Sequence, residues 1–164
     1  MPAPSPLNPA LALRVTLVAA QVVLSLIATS SEPPAGGGGI TVVVAAGNEG
    51  PGVESITVPG NDPYVITVGA VDSQRTPGYW ADDTVPTWSA SGPTPDGFIK
   101  PDIIAPGSQI ISFMHNDGTE IARLLHDHPD YAETTSLFRM NGTSMATAVS
   151  SGVVALMLQA DPAL

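Results

Sequence analysis

Two short stretches hold side chains whose types and spacing could do chemistry together. In "NGTSMATAVSSGVVALML", residues 141 to 158, Ser144 stands between a glycine turn and a long apolar run. Met145, Ala148, Val149, Gly152, Val153, Leu156 and Met157 recur at helical spacing, which predicts a helix with Ser144 in its first turn. A helix start offers unpaired N–H groups and the positive end of the dipole. A serine there can attack a carbonyl, and its own N–H can help hold the oxyanion that forms. Serine is also a favoured helix cap, so this stretch by itself leaves both roles open. The second stretch is "AAGNEG", residues 45 to 50, where Asn48 follows a buried strand at its carboxyl end. Ligands of α/β sheets bind at that edge, and an Asn amide can donate to a developing oxyanion. An isolated turn asparagine more commonly bonds its own backbone, so this stretch too is ambiguous when taken alone.

The elements that must position these residues are short. "ITVVV", residues 40 to 44, and "PYVITVGAVDS", residues 63 to 73, are apolar on both faces, as strands of a covered parallel sheet are. Around Ala105-Pro106-Gly107 the sequence "IKPDIIAPGSQIISF" reads as two brief strands, and "PTWSASGP" as a further short one. The final helix is apolar nearly all round, which predicts a path through the core. Helix–strand alternation gives an α/β class with a mostly parallel, partial doubly wound sheet. The segment "LALRVTLVAAQVVLSLIA", residues 11 to 28, reads as a buried helix with Asn8 as N-cap and Pro9 at the first helical position. A secretory signal or membrane anchor is the alternative. It lacks a basic leading region, and Arg14 and Gln21 interrupt the apolar run. "SSEPPAGGGG", residues 30 to 39, is a connector without core-forming side chains.

Composition narrows the function. At 164 residues with 43% hydrophobic side chains, the chain can bury a core. Five basic residues against fifteen acidic ones give a net charge of -10, which argues against nucleic acid as a partner. Without cysteine there is no thiolate nucleophile and no cysteine metal site. His126, Asp127 and His128 fit no standard metal spacing, so solvated loop residues are expected, with no metal and no cofactor.

Four blocks now stand in order: "GITVVVAAGNEGP", "VPGNDPYVITVGAVDS", "GPTPDGFIKPDIIAPGSQIIS" and "NGTSMATAVSSGVVALML". Together they resemble the subtilisin-like serine peptidases, the subtilases, over about residues 40 to 164. The resemblance implies that Ser144 is the nucleophile and Asn48 the oxyanion-hole side chain. It implies that the backbone of Ala45, Ala46 and Gly47 lines the site for the substrate residue preceding the scissile bond. The activity implied is endopeptidase cleavage of peptide or protein substrates through an acyl-enzyme, in an extracellular or cell-surface setting. Membrane partners are not expected.

Three departures from the family pattern stand out. Ala148 occupies the place of a proline usual four residues after the nucleophile. The strand ending in Ser-Leu-Gly, the other wall of the family's cleft, is not evident before Ile40. The aspartate block and the histidine block that should precede "AAGN" are absent, and the first histidine is His115. Asp102, His126 or His128, and Ser144 do follow the order Asp, His, Ser, yet a triad is a matter of geometry, and "KPDIIAPG" is structural in the family. In subtilisin itself, the source of the figure, losing the base lowers kcat by on the order of 10⁶. The expectation is therefore the C-terminal half of a subtilase catalytic domain, with residues 40–164 belonging to it and residues 1–39 an apolar helix plus connector. Such a chain needs a missing N-terminal half as partner and is inactive alone. A catalytically dead binding or scaffold module is the alternative.

Overall fold

β-Branched residues dominate the stretches that form the sheet, because a pleated, covered surface accommodates their stiff side chains. The computed structural model describes residues 16–20, 23–29, 40–76, 78–113, 125–161 and 164. Five strands form one sheet in sequence order: β1 (Thr16–Ala20), β2 (Val23–Thr29), β3 (Ile40–Ala45), β4 (Ile66–Val71) and β5 (Ile103–Pro106). The pairs β3–β4 and β4–β5 are parallel, whereas β1–β2 and β2–β3 are antiparallel. Strands β6 (Ile110–Phe113) and β7 (Leu137–Met140) make a separate antiparallel ribbon. One long helix, α1 (Thr143–Ala160), lies across β2, β3, β4 and β5. "PTWSASGP" forms bends and turns rather than a strand.

The helix expected over residues 11 to 28 is instead a strand hairpin where the chain is described. Thr16, Val18, Val23, Ile27 and Thr29 favour extended backbone, and only two residues separate β1 from β2, with Ala20 opposite Val23. β2 also pairs with β3, from Leu26↔Val43 to Thr29↔Ile40, but it runs antiparallel and ends in Ile27-Ala28-Thr29 rather than in Ser-Leu-Gly. The direction follows from chain length. Ten residues, 30 to 39, separate β2 from β3. That is shorter than the dozen or more that a parallel crossover needs. Asn8, Pro9 and Arg14 lie outside the described residues.

Val43, Val44, Val68 and Ala70 are fully buried, with Ala105 and Ala146 beside them. The helix contributes to this core differently from its hydropathy pattern. Its buried face is Thr143, Ala146, Thr147, Ser150 and Ser151, at i, i+3, i+4, i+7 and i+8. Val149, Val153, Leu156 and Met157 are exposed. The expected course through the core therefore holds for one face only, and that face consists of small residues. Small side chains let α1 approach the sheet closely, and their hydroxyls are satisfied within the helix. Thr147 Oγ1 donates to Thr143 O at 2.8 Å and Ser151 Oγ to Thr147 O at 2.7 Å.

At the amino end of the parallel strands, Asp102 ties β4 to β5. One carboxylate oxygen accepts from Thr67 N–H at 2.7 Å and from Lys100 Nζ at 2.7 Å. Lys100 Nζ, itself buried, also donates to Val65 O at 2.8 Å. Burial pushes the Asp102 carboxyl up, but the Lys100 hydrogen bond, the Thr67 N–H and the Lys100 charge outweigh it, holding the carboxyl below its ordinary value. A lowered carboxyl contributes stability above its unfolded-state pKa and loses it as pH falls through the folded value. Because the Asp102 side chain is 40% exposed, solvent screening reduces the effect of the pair. Asp102→Asn should cost about 1 to 2 kcal/mol at pH 7, chiefly by leaving the Lys100 cation poorly paired. That deficit should shrink as pH falls below about 4, where the carboxyl of the unfolded chain takes up its proton before the native one does. Urea unfolding of both proteins at pH 7 and pH 3 checks this, and a deficit of the same size at both pH values would contradict it.

Candidate active site

The opposite, carboxyl end of the parallel strands is where the chemistry-bearing residues meet. Strand β3 ends at Ala45 and the chain turns through Gly47, whose φ is +111°. A side chain there would meet the backbone penalty of the left-handed region, and its Cβ would also lie 2.7 Å from Thr57 Oγ1. This turn puts Asn48 over the start of α1, and the asparagine serves as the helix's missing cap. Gly142 occupies the N-cap position and has no side chain to do so. Asn48 Oδ1 accepts from Thr143 N–H at 2.9 Å and from Thr143 Oγ1 at 3.0 Å. Thr143 Oγ1 in turn accepts from Gly47 N–H at 3.3 Å. Thr143 is fully buried, so it clips strand end to helix start from beneath.

This clip fixes the sense of the Asn48 amide. A backbone N–H can only donate, so the atom facing Thr143 must be the amide oxygen, and the NH₂ group is turned away as a free donor. Ser144, the second residue of α1, carries one of the helix's orphan N–H groups. Its side chain is half-buried, and its hydroxyl makes no hydrogen bond among the described residues. The cap role is thus taken by groups other than Ser144. A hydroxyl with no hydrogen-bonding duty thus stands in the first turn of a helix, where N–H groups lack the usual partner four residues back, one residue from the Asn48–Thr143 clip.

Gly107 completes the scaffold. Its N–H donates to Val71 O at 3.0 Å, and its carbonyl accepts from Gly142 N–H at 2.9 Å. A Cβ on Gly107 would approach Ala70 Cβ to 2.7 Å and Gly142 O to 2.9 Å, so only glycine lets β4, β5 and the helix start converge. Ala45 and Ala46 are buried beneath the site and Gly47 is half-buried. The Ala46 carbonyl is taken by Thr57 N–H at 3.0 Å and the Gly47 carbonyl by Ala90 N–H at 3.0 Å.

Asp102 is not brought to Ser144. It precedes β5 at the amino end of the sheet, while α1 begins at the carboxyl end. His126 is exposed and bonded to Asp127 Oδ1 at 2.9 Å, and His128 stacks on Tyr131 with ring centroids 4.5 Å apart. His115 lies outside the described residues. Among the described residues no group of three His, Asp or Glu side chains converges as a metal site would require.

The Subtilase family profile matches residues 22–164, from the edge of β2 through α1. The chain belongs to the subtilase family. Serine protease AprX of Bacillus subtilis (strain 168) is 45% identical over 120 residues, which are 73% of this chain and 26% of that protein. Pyrolysin of Pyrococcus furiosus is 34% identical over 133 residues, 70% of this chain and 8% of the relative. The chain thus spans about a quarter or less of these two curated relatives. Among solved structures, Sphericase superposes with a TM-score of 0.51 at 27% identity, covering 73% of this chain and 34% of its own. The α/β fold with its parallel strands is that of subtilisin-like proteases.

Thr143 was not singled out by sequence reasoning, although it stands next to Ser144; its partners are 95 and 96 residues away. Its geometry separates structural from chemical roles. Thr143→Val, which keeps the shape and deletes the hydroxyl, should destabilise the chain by about 1 to 2 kcal/mol, leaving Gly47 N–H unpaired. Ser144→Ala should change stability by no more than about 0.5 kcal/mol, since its hydroxyl holds nothing. Parallel urea titrations of the two variants measure this contrast, and a larger loss for Ser144→Ala would make that serine a structural residue.

Proposed function

We propose that this chain carries the nucleophile and oxyanion-binding half of a serine endopeptidase site. The observation that carries the reading is the Asn48–Thr143 clip, which holds the Asn48 amide by its oxygen at the residue next to Ser144 and leaves its NH₂ to donate elsewhere. Ser144 attacks the scissile carbonyl, its N–H and the Asn48 amide hold the oxyanion, and an acyl-enzyme follows. Substrates are peptides or proteins. Residues Ala45 to Gly47 form the wall for the residue before the cleaved bond. Family membership and relatives named as serine proteases support the hydrolase assignment.

The base is the unmet requirement. A serine hydroxyl is a weak nucleophile until a neighbouring group takes its proton, and no described histidine reaches Ser144. The aspartate and histidine are supplied by a further part of the catalytic domain, so the chain alone is inactive. An extracellular or cell-surface setting belongs to the same reading. A dead binding module is the second reading, favoured by the missing base alone.

A fluorophosphonate probe separates the two. The chain alone should label at background. Mixed with a subtilase segment bearing the aspartate and histidine blocks, it should label at Ser144, and Ser144→Ala should abolish the signal. In the reconstituted enzyme Asn48→Ala should lower kcat by roughly 10² to 10³ with little change in KM, a size borrowed from the corresponding asparagine of subtilisin. Background labelling in every mixture that forms a complex would instead identify a dead module.

A further inference from the structure

A second cavity adjoins the helix start on the Asn141 side, with a volume of about 400 Å³. Its walls include Arg75, Trp88, Gln109, Asp130, Arg139 and Asn141. Asn141, on its wall, lies three residues before Ser144 in the chain. Most of its lining is polar, and a hydrogen-bonded relay organises it. Asn141 Oδ1 accepts from Gln109 N–H at 2.5 Å, and Gln109 Oε1 accepts from Arg75 Nε–H at 2.6 Å. The relay holds the guanidinium by its Nε edge and leaves both terminal nitrogens available, the end that grips a carboxylate through two parallel hydrogen bonds.

The cavity holds three other charged side chains, Asp72, Asp130 and Arg139. Arg139 is paired with Glu133, whereas the Asp72 carboxylate accepts from Gln74 N–H at 2.9 Å and keeps its negative charge. Asp130 lies on a one-turn helix at the other wall. Arg75 has a neutral partner, so its positive charge is uncompensated by any ion pair among the described residues. The backbone marks the same place. Of the four described non-glycine residues with positive φ, three are Gln74 at 53°, Arg75 at 63° and Gln109 at 55°. Side-chain-bearing residues avoid this region, and where they are held in it the conformation often serves a site.

We infer that Arg75, aimed by Gln109 and Asn141, is a specificity-determining residue that binds the carboxylate of an acidic substrate side chain. The inference rests on the endopeptidase reading for the word substrate. Since residues 45 to 47 serve the residue before the scissile bond, the Asn141 side falls to residues after it. A Glu or Asp there enters the cavity, stands on Trp88 and closes a fork with the Arg75 guanidinium. No bond is made or broken in this step.

The test is binding to the full chain, which needs no catalysis. Two amide-capped alanine pentapeptides, identical except for a single Glu or Gln, are titrated while NMR follows the Arg75 Nε–H and Trp88 indole signals. The Glu peptide should bind about 3- to 10-fold more tightly. Arg75→Gln should remove that ratio without altering the Gln peptide's affinity. Arg75→Lys, which keeps charge but loses the fork, should retain only part of it. In the unmutated chain the preference should fade as salt rises, a control that no folding defect can mimic. Equal affinities, no binding of either peptide, or a Glu preference that survives Arg75→Gln would overturn the assignment. Fluorophosphonate labelling of Ser144, in the mixture with the segment bearing the aspartate and histidine blocks, reports separately on the endopeptidase reading.

Discussion

The interaction on which the site depends is the pair of hydrogen bonds from Thr143 to Asn48 Oδ1. It joins the end of β3 to the start of α1, and it converts an exposed turn asparagine into a fixed donor. An unanchored amide would have to turn toward each new charge and would lose much of its stabilising power in doing so. Anchoring by the oxygen removes that reorganisation, which is why preorganised dipoles outperform water around a developing charge. Thr143 can do this because α1 has a glycine at its N-cap, leaving the first N–H open to a partner from elsewhere.

The rest of the scaffold serves this junction. Parallel strands β3, β4 and β5 deliver three chain ends to one side, and Gly107 lets the ends of β4 and β5 touch Gly142. At the far end Asp102 and Lys100 lock β4 to β5. Polar locks therefore sit at both ends of an apolar centre built from Val43, Val68 and Ala70. The lock at the amino end is charged, and the one at the carboxyl end is made of uncharged groups.

Much of this was legible in the sequence because its signatures are local. The buried β-branched runs of β3 and β4, the turn around Pro106, and the helix after Ser144 each announce themselves within a dozen residues. Ser144 and Asn48 stand out by residue type and position, at a helix start and a strand end that the structure brings together through Thr143. What escaped depends on distant partners. The apolar segment before residue 30 fits a helix or two strands by pattern, and pairing with β3 decides for strands where it is described. The Thr143 clip joins residues about 95 apart, and the Arg75–Gln109 contact joins residues 34 apart. Neither leaves a periodic trace. The face of α1 was misjudged for another reason: size, rather than hydropathy, determines which side can lie against the sheet.

That last feature inverts the usual expectation about which residues of a helix tolerate change. Along α1 the bulky aliphatics Val153 and Leu156 stand outside, and the modest Thr147 and Ser151 are wholly enclosed. Trimming an outer side chain to alanine removes contacts with water. Adding a single methylene to an inner one overfills the space against the sheet and strains the packing there. The residues that look most replaceable on paper are the ones that set the distance between helix and sheet, so the helix works as a spacer gauged by its smallest side chains.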